Sequence, residues 1–285
     1  MALEIVITSE NKGSNPGGKC IVRTGNLNSR SYIKYCTNNE IPNSPLTPQH
    51  QPIYEAMFLE MAKKLGLAVP EYFMLLNKSG KINFTYTPDK DEHPKRLRDN
   101  NSTYFASKLI ETPIDDTSLL LQSIMKEEKI YRDLLHIGDI SGRPQNYTLI
   151  TPPNKKPFAM YIDLGCALVD THFGKMSLRK SLNDKVSSID RSNKALKDFK
   201  KRFARFNLKI RGSEDSVNLL EFGEKIPKCC NINVLSSANP GRISSVPVSS
   251  LLEQEEIDYL AQLYFLVNSN FLSAYKEDPR ISRNH

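Results

Sequence analysis

The sequence predicts an α+β chain with two lobes, a sheet-rich lobe over residues 1–111 and a mostly helical lobe over residues 112–285. Before residue 111, short runs of β-branched and aromatic residues recur between turn signals, as strands do. After residue 115, apolar residues recur at helical spacing, with one predicted hairpin as the exception. A chain of 285 residues allows one two-lobed domain or two small ones.

The first lobe is predicted to contain six strands and one helix. The strands are expected at residues 4–8, 20–24, 31–35, 72–76, 82–86 and 104–110. The helix starts near Pro48 and carries an apolar stripe. It is expected to end at Gly66, because glycine adopts the left-handed conformation that ends many helices. A charged loop and a hinge at residues 111–113 complete the lobe.

Cysteine usage and hydropathy indicate a chain without disulfides or a membrane span. The five Cys show no metal-ligand spacing, and adjacent Cys229 and Cys230 are poor partners for each other. Reduced thiols in the cytoplasm are therefore expected. No basic region precedes a long apolar run at the N-terminus, and no segment is apolar enough to span a bilayer. Secretion into a host cell without a cleaved signal peptide is the alternative.

A glycine-rich connection follows the first predicted strand and includes Gly13, Gly17 and Gly18. Glycine lets backbone N–H groups approach phosphate oxygens closely, so these residues are candidates for binding a nucleotide. The spacing fits neither the Walker pattern nor the usual kinase glycine pattern. A plain hairpin turn is the alternative interpretation.

Lys34, on the third predicted strand, is flanked by apolar residues. Such a lysine either extends along the sheet edge to water or reaches the α- and β-phosphates of a nucleotide. Glu55 and Glu60 on the predicted helix are its candidate partners. An ion pair with one of them would fix the lysine at the phosphates, as a kinase requires.

The predicted hairpin of the second lobe consists of strands at residues 147–150 and 158–162. It would bring Asn146, just before the first strand, close to Asp163, just after the second. Phosphoryl transfer uses an Asn and an Asp to hold Mg²⁺ against the triphosphate. Asn146 and Asp163 are therefore the candidate metal ligands.

The polar stretch that leads into this hairpin, residues 136–146, supplies two further candidates. Asp139 is the candidate base for the acceptor hydroxyl, and Arg143 can offset the charge of Asp139 or of the transferred phosphoryl group. Gly-Asp and Asp-x-Gly are also common turn sequences, so a structural turn is the alternative for each element taken alone.

A basic segment, residues 175–211, is crowded with Lys and Arg. Its Phe residues recur at near-helical spacing, which predicts an amphipathic helix with a basic face. Converging cations favour a phosphate-rich anion as ligand. The candidate anion-binding residues are Lys197, Lys200, Lys201 and Arg205. A solvated helix held by its Phe stripe is the alternative. Nucleic acid is not favoured, because no recognised binding module accompanies the charge.

The order of these elements resembles the HipA-like branch of atypical protein kinases. The resemblance rests on the helix that ends in Lys-Lys-Leu-Gly-Leu-Ala-Val-Pro, residues 63–70, in which Glu55 takes the position of the family's Glu. The family's later Gly-Asn-x-Asp-x-His-x-x-Asn motif aligns without a gap on the residues that end at Asn146. The similarity covers the chain from the glycine-rich connection to Asp163.

The gapless alignment also shows a departure from the family pattern. The catalytic Asp of the family falls on Ser141 and its His falls on Arg143, whereas Asp139 lies two residues early. Either the loop is remodelled so that Asp139 serves as base, or that function is weakened. Because phosphoryl transfer relies mainly on positioning and charge neutralisation, loss of an ideal base need not abolish it.

The resemblance implies a two-lobed, protein-kinase-like fold that uses ATP with Mg²⁺ or Mn²⁺ and phosphorylates Ser or Thr of a protein substrate. A looser similarity, in domain order and charge, to Fam20-like bacterial effector kinases implies inositol hexakisphosphate as an activator at the basic segment. An anionic lipid headgroup is the alternative ligand there. Other functions stay open: a phosphoinositide or small-molecule kinase, an anion-binding pseudokinase module, or a nucleotidyl transferase.

Overall fold

A computed structural model of the chain describes residues 2–10, 17–25, 27–35, 45–64, 66–78, 81–87, 102–110, 119–128, 147–164 and 230–260. Its strands are β1 (Leu3–Glu10), β2 (Gly17–Thr24), β3 (Leu27–Lys34), β4 (Tyr72–Leu76), β5 (Ile82–Tyr86), β6 (Thr103–Lys108), β7 (Tyr147–Ile150), β8 (Phe158–Tyr161), β9 (Asn231–Ser236) and β10 (Ile243–Pro247). Its helices are α1 (Gln51–Lys64), which follows a 3₁₀ turn at Pro48–His50, α2 (Leu119–Glu127), and a last helix over residues 254–260.

Eight of these strands form one sheet in the order β10-β9-β4-β6-β3-β2-β1-β5, and β7 pairs with β8 in a separate hairpin. The ladders β1–β5 and β4–β9 are parallel, and the others are antiparallel. The α+β fold class with a sheet-rich first part, as predicted from the sequence, is confirmed.

One face of the eight-stranded sheet encloses an apolar core drawn from β1 to β6 and β9. Phe84 on β5 and Tyr104 on β6 have ring centroids 5.2 Å apart, although β3, β2 and β1 lie between these two strands in the sheet. In a flat sheet four strand spacings would separate them by about 19 Å. The sheet therefore curls strongly around this core.

The opposite face of the sheet carries the residues that alternate, along each strand, with the residues of that core. Lys34, Phe105 and Met74 lie side by side on β3, β6 and β4, and side chains opposite each other in a ladder point to the same face. Helix α1 contacts this face through Lys34, whose ammonium meets Glu55. Residues 52–59 of α1 are all buried, so the helix is enclosed around its whole circumference over two turns.

Helix α1 ends in a Schellman motif, as the glycine after it predicts. The Leu67 N–H donates to the Ala62 carbonyl at 2.9 Å, and the Gly66 N–H donates to the Lys63 carbonyl at 3.0 Å. Gly66 has φ 82°, the left-handed conformation that this motif requires and that glycine adopts without a Cβ penalty.

Two strands from late in the chain complete the sheet. β9 pairs in parallel with β4, and β10 pairs with β9. The expectation that the chain after residue 115 is helical apart from one hairpin is therefore wrong for residues 231–247. The fourth strand is buried at Tyr72, Phe73, Met74 and Leu75. A strand buried on both faces belongs inside a sheet, and β9 supplies its second neighbour.

The chain divides into two compact units. The first comprises Met1–Met57, Pro70–Glu111 and Asn231–Leu252, and the second comprises Phe58–Val69, Thr112–Cys230 and Glu253–His285. The first unit therefore includes β9 and β10, and it excludes Phe58–Val69. None of the helices in the described parts is long and apolar enough to cross a membrane.

Within the second unit, the β7–β8 hairpin is hydrogen-bonded to the residues that follow α1. The Tyr161 N–H donates to the Ala68 carbonyl at 2.9 Å, and Ala68 forms a parallel bridge with Met160. In the same unit the last helix begins at a partial capping box, in which Glu256 accepts a hydrogen bond from the Glu253 N–H at 2.9 Å.

Candidate active site

Strand β3 places Lys34 at its C-terminal end, between two neighbouring strands. Lys34 lies opposite Gly17 of β2 and opposite Phe105 of β6. Ladders on both sides fix the backbone of Lys34, so only the side chain has freedom to move. The side chain is 14% exposed, so it is not completely enclosed by the protein.

Helix α1 brings Glu55 to this ammonium. Lys34 Nζ donates to Glu55 Oε1 at 2.7 Å, and the Glu55 side chain is only 2% exposed. This distance is that of a charge-assisted hydrogen bond, the stronger kind of contact between ionised groups. The strand lysine and the helix glutamate, singled out in the sequence as candidate partners, therefore meet.

Burial makes this pair energetically demanding. Removing an ion from water costs several kcal/mol, and an ion pair in a protein interior recovers that cost only with good geometry and further hydrogen bonds. A pair of apolar residues would fill the same space at similar or lower cost. Retention of an ion pair in which the carboxylate is buried and the lysine side chain is only 14% exposed is thus a feature to be explained by function.

The second glutamate considered from the sequence has a different partner. Glu60 lies one and a half turns beyond Glu55 and accepts a hydrogen bond from Lys63 at 3.3 Å on the same helix. The Lys63 side chain is 59% exposed, so this is an ordinary surface pair of little energetic weight. It provides a matched control for Lys34–Glu55, because both pairs use α1.

Two of the three candidate nucleotide-binding glycines are strand residues. Gly17 pairs with Lys34, and Gly18 pairs with Ile33, so both belong to β2 and not to the connection before it. A Cβ at Gly17 would collide with the carbonyl oxygen of Ile33. Close approach of two backbones is therefore sufficient reason for glycine at this position. Glycine has low strand propensity, which is why the sequence pattern placed both residues in the loop.

Asp163, the candidate metal ligand, lies two residues after β8 in the second unit and is half-buried. The hairpin that was predicted to precede it forms, with Tyr147 opposite Tyr161 and Ile150 opposite Phe158. Within the described parts of the chain, no group of three or more His, Cys, Asp or Glu forms a metal site. A metal bound at Asp163 would therefore need ligands from elsewhere, and Asn146 is the predicted one.

A hydrogen bond beside Asp163 was not predicted from the sequence. The Tyr161 hydroxyl donates to Glu128 Oε2 at 2.6 Å, and Tyr161 is fully buried. It joins the end of β8 to the residue that follows α2. Tyr161 is an ordinary strand residue by pattern, and its partner lies 33 positions earlier. Only the packing of α2 against β8 identifies the pair.

The remaining sequence candidates lie outside the described residues. They are Gly13 of the connection, Asp139, Arg143 and Asn146 of the catalytic stretch, and Lys197, Lys200, Lys201 and Arg205 of the basic segment. Their proposed roles stay predictions.

An open groove of about 500 Å³ lies at the other end of β2 and β3. It is lined by residues that include Arg23, Thr24 and Asn28, and it contains the Glu4–Arg23 ion pair at 3.7 Å. Leu27 is seven strand residues from Lys34, a separation of roughly 24 Å. This groove is therefore distinct from the Lys34–Glu55 site.

Comparison with known proteins gives a structural likeness but no matching sequence family. No family model and no curated protein matches the chain. The chain is similar to the crystal structure of a Helicobacter pylori proinflammatory kinase, CtkA, with a TM-score of 0.48 and 12% sequence identity. The similarity covers 100% of each chain. At this identity and TM-score, the likeness does not establish a shared activity.

Proposed function

We propose that the chain is an ATP-dependent phosphotransferase, most specifically a Ser/Thr protein kinase. The observation that carries the proposal is the buried ion pair between Lys34 on β3 and Glu55 on α1. Kinases require such a strand lysine paired with a helix glutamate, because the pair fixes the ammonium at the phosphates of ATP.

The roles of the two paired residues follow from their chemistry. Lys34 carries a compact charge with three N–H donors, which suits the α- and β-phosphate oxygens. Glu55 has no direct part in the transfer, since its carboxylate is 2% exposed and holds the ammonium. Its contribution is orientation: it keeps Lys34 in one rotamer and so lowers the entropy lost when ATP binds.

Further candidate residues would supply the metal site and the base. Asp163 and Asn146 would hold Mg²⁺ or Mn²⁺, because a carboxylate and a carboxamide supply the oxygen ligands that Mg²⁺ prefers. When bound, Mg²⁺ neutralises charge on the transferred phosphoryl group. The oxygen of the acceptor hydroxyl would bond the γ-phosphorus as ADP leaves. Asp139 would take the proton of that hydroxyl. Arg143 would offset the added negative charge.

The basic segment supports an activator in this proposal. Its Lys and Arg are too dense to converge without a counter-charge, so a multiply phosphorylated anion such as inositol hexakisphosphate would bind there. Binding to the folded state alone raises stability by about 2.7 kcal/mol at one hundred times Kd. Charge reversal at Lys200 and Lys201 should remove this stabilisation, whereas unchanged binding after the double reversal would contradict an anion site.

A pseudokinase module is the second candidate, favoured by Ser141 standing where the HipA-like motif has its catalytic Asp. The two candidates predict the same nucleotide binding and differ in turnover. Incubation of the whole chain with γ-labelled or α-labelled ATP, divalent metal and generic protein substrates separates them. Transfer of the γ label supports the kinase, transfer of the α label supports a nucleotidyl transferase, and binding without transfer supports the pseudokinase.

A further inference from the structure

The start of helix α1 is tied to the sheet at a point close to Lys34. The Thr103 hydroxyl, on β6, donates to the carbonyl oxygen of Gln49 at 2.8 Å, and Thr103 is only 7% exposed. Gln49 lies in the 3₁₀ turn Pro48–His50, which runs directly into α1 at Gln51. The sheet therefore holds the helix at its first turn.

A second hydrogen bond fixes this turn to the helix itself. The Thr47 N–H donates to the Tyr54 hydroxyl oxygen at 3.2 Å, and Tyr54 is fully buried. Tyr54 immediately precedes Glu55, so the side chain that holds the turn and the carboxylate that holds Lys34 are neighbours on α1. Movement of the turn is thus transmitted to Glu55 through one rigid helical segment.

These contacts close a ring through the strands. Lys34 lies opposite Phe105, and Thr103 is two residues from Phe105 on β6, about 7 Å along the strand. From Gln49 to Glu55 the helical path is six residues, about 9 Å. Glu55 Oε1 in turn accepts a hydrogen bond from Lys34 Nζ at 2.7 Å. Thr103, Phe105 and Lys34 share the face of the sheet on which this end of α1 lies.

We infer that Thr103 is a positioning residue that sets the register of α1 so that Glu55 reaches Lys34, with Tyr54 as its partner within the helix. The effect of Thr103 on phosphate transfer rests on the proposed function. Its effect on the Lys34–Glu55 ion pair does not depend on that function. Loss of the Thr103 hydroxyl lets the helix start shift away from β6, and Glu55 releases the ammonium more often. The net contribution of one neutral hydrogen bond corresponds to about a fivefold change in such an equilibrium.

The test is the acetylation rate of Lys34 in the nucleotide-free, full-length protein, read residue by residue by mass spectrometry. Exposed Lys63 serves as the internal reference. Thr103→Val keeps the shape of the side chain, removes the donor, and should raise the Lys34 rate about fivefold. Thr103→Ser restores the hydroxyl and should return the rate to that of the wild type.

Thr87→Val is the matched control. The Thr87 hydroxyl also donates to a backbone carbonyl, that of Ile7 at 3.1 Å, but it lies outside the ring. Tyr54→Phe removes the acceptor for the Thr47 N–H and should act in the same direction as Thr103→Val. Equal Lys34 rates in Thr103→Val and Thr87→Val, or no rescue by Thr103→Ser, would overturn the inference. If Thr103→Val raises the acetylation rate of Lys34 but the wild type never transfers phosphate, the inference is supported and the kinase proposal is wrong.

Discussion

Gly17 and Lys34 lie opposite each other across the β2–β3 ladder. The first residue of β2 is therefore the immediate cross-strand neighbour of the candidate phosphate-binding lysine. Two backbones approach closely there, since a Cβ at Gly17 would meet the Ile33 carbonyl oxygen.

Gly17→Ala should destabilise the protein, because the atom in the way belongs to backbone and cannot rotate aside. Forced overpacking of this kind costs about 1–3 kcal/mol. Thermal denaturation measures the effect. Gly241→Ala is the control, since a Cβ there would have no neighbour within 4 Å. Equal melting temperatures for the two variants would show that β2 and β3 are not packed as described.

Lys34→Met should be strongly destabilising, because it leaves the Glu55 carboxylate buried without its ammonium. Breaking a buried pair by removing one partner costs about 3–5 kcal/mol. The double variant Lys34→Met with Glu55→Leu should recover part of this loss, because it also removes the buried carboxylate that lost the Lys34 ammonium. Denaturant unfolding of both variants and of Lys63→Ala gives the comparison. The surface control Lys63→Ala is expected to lower the free energy of unfolding by ~0–1 kcal/mol. If Lys34→Met lowers it by no more than that, the pair is not buried.

Cys20 should resist alkylation in the native protein. Burial raises the pKa of its thiol to about 12, and the thiolate is the reactive form. Iodoacetamide at pH 8 should therefore label Cys20 in denaturant and leave it unlabelled in the folded chain. Rapid native labelling would show that β2 opens or that its inner face is accessible.

The same raised pKa predicts a pH dependence of stability. The unfolded thiol ionises near pH 8.5, whereas the folded thiol keeps its proton to about pH 12. The contribution of the Cys20 thiol to the free energy of unfolding is fully present below the pKa of the unfolded thiol. It is lost as the pH rises from there toward the pKa of the folded thiol. The free energy of unfolding should thus fall more between pH 7.5 and 10 in the wild type than in Cys20→Ala. Equal falls would contradict the prediction.

Asp163→Ala should abolish phosphate transfer and most metal-dependent ATP binding, while the fold survives. An anionic Mg²⁺ ligand has no neutral substitute, and Asp163 follows β8 without being part of its ladder. Titration of a fluorescent ATP analogue with and without Mg²⁺ measures the effect. Asp258→Ala, at an exposed position of the last helix, is the control. Wild-type turnover in a folded Asp163→Ala protein would exclude Asp163 as the metal ligand.

A companion comparison separates the two candidates for the base. If the loop is remodelled, Asp139→Ala should lower kcat by roughly 10²-fold or more, the scale of a positioned acid–base group. Ser141→Ala should then have little effect. The reverse ranking would show that the gapless alignment with the HipA-like motif is the correct one.

Sequence reasoning located the Lys34–Glu55 pair because each residue lies in an element with strong local signals. Ile33 and Tyr35 flank Lys34 at the end of β3, and α1 is bounded by Pro48 and Gly66. A strand lysine and a helix glutamate of this kind have few other ways to satisfy their charges once buried. Local pattern and electrostatics therefore limited the candidate partners of Lys34 to Glu55 and Glu60, and the resemblance to HipA-like kinases favoured Glu55.

The features that sequence reasoning missed depend on tertiary pairing. β9 is a short strand whose place is set by β4, more than 150 residues earlier. The Thr103–Gln49 hydrogen bond joins positions 54 residues apart, and neither residue type signals a partner by itself. Gly17 is in β2 because β3 pairs with it, against its own low strand propensity.

The most direct test of the central claim is transfer of the γ-phosphate of ATP by the wild type, Glu55→Gln and Lys63→Ala. Glu55→Gln retains the shape of the side chain but removes the charge that orients Lys34. Small misplacements of a positioning group cost about 10²-fold in rate. We expect transfer by the wild type and by Lys63→Ala, and a loss of about that size in Glu55→Gln. Equal transfer by Glu55→Gln and the wild type would contradict it.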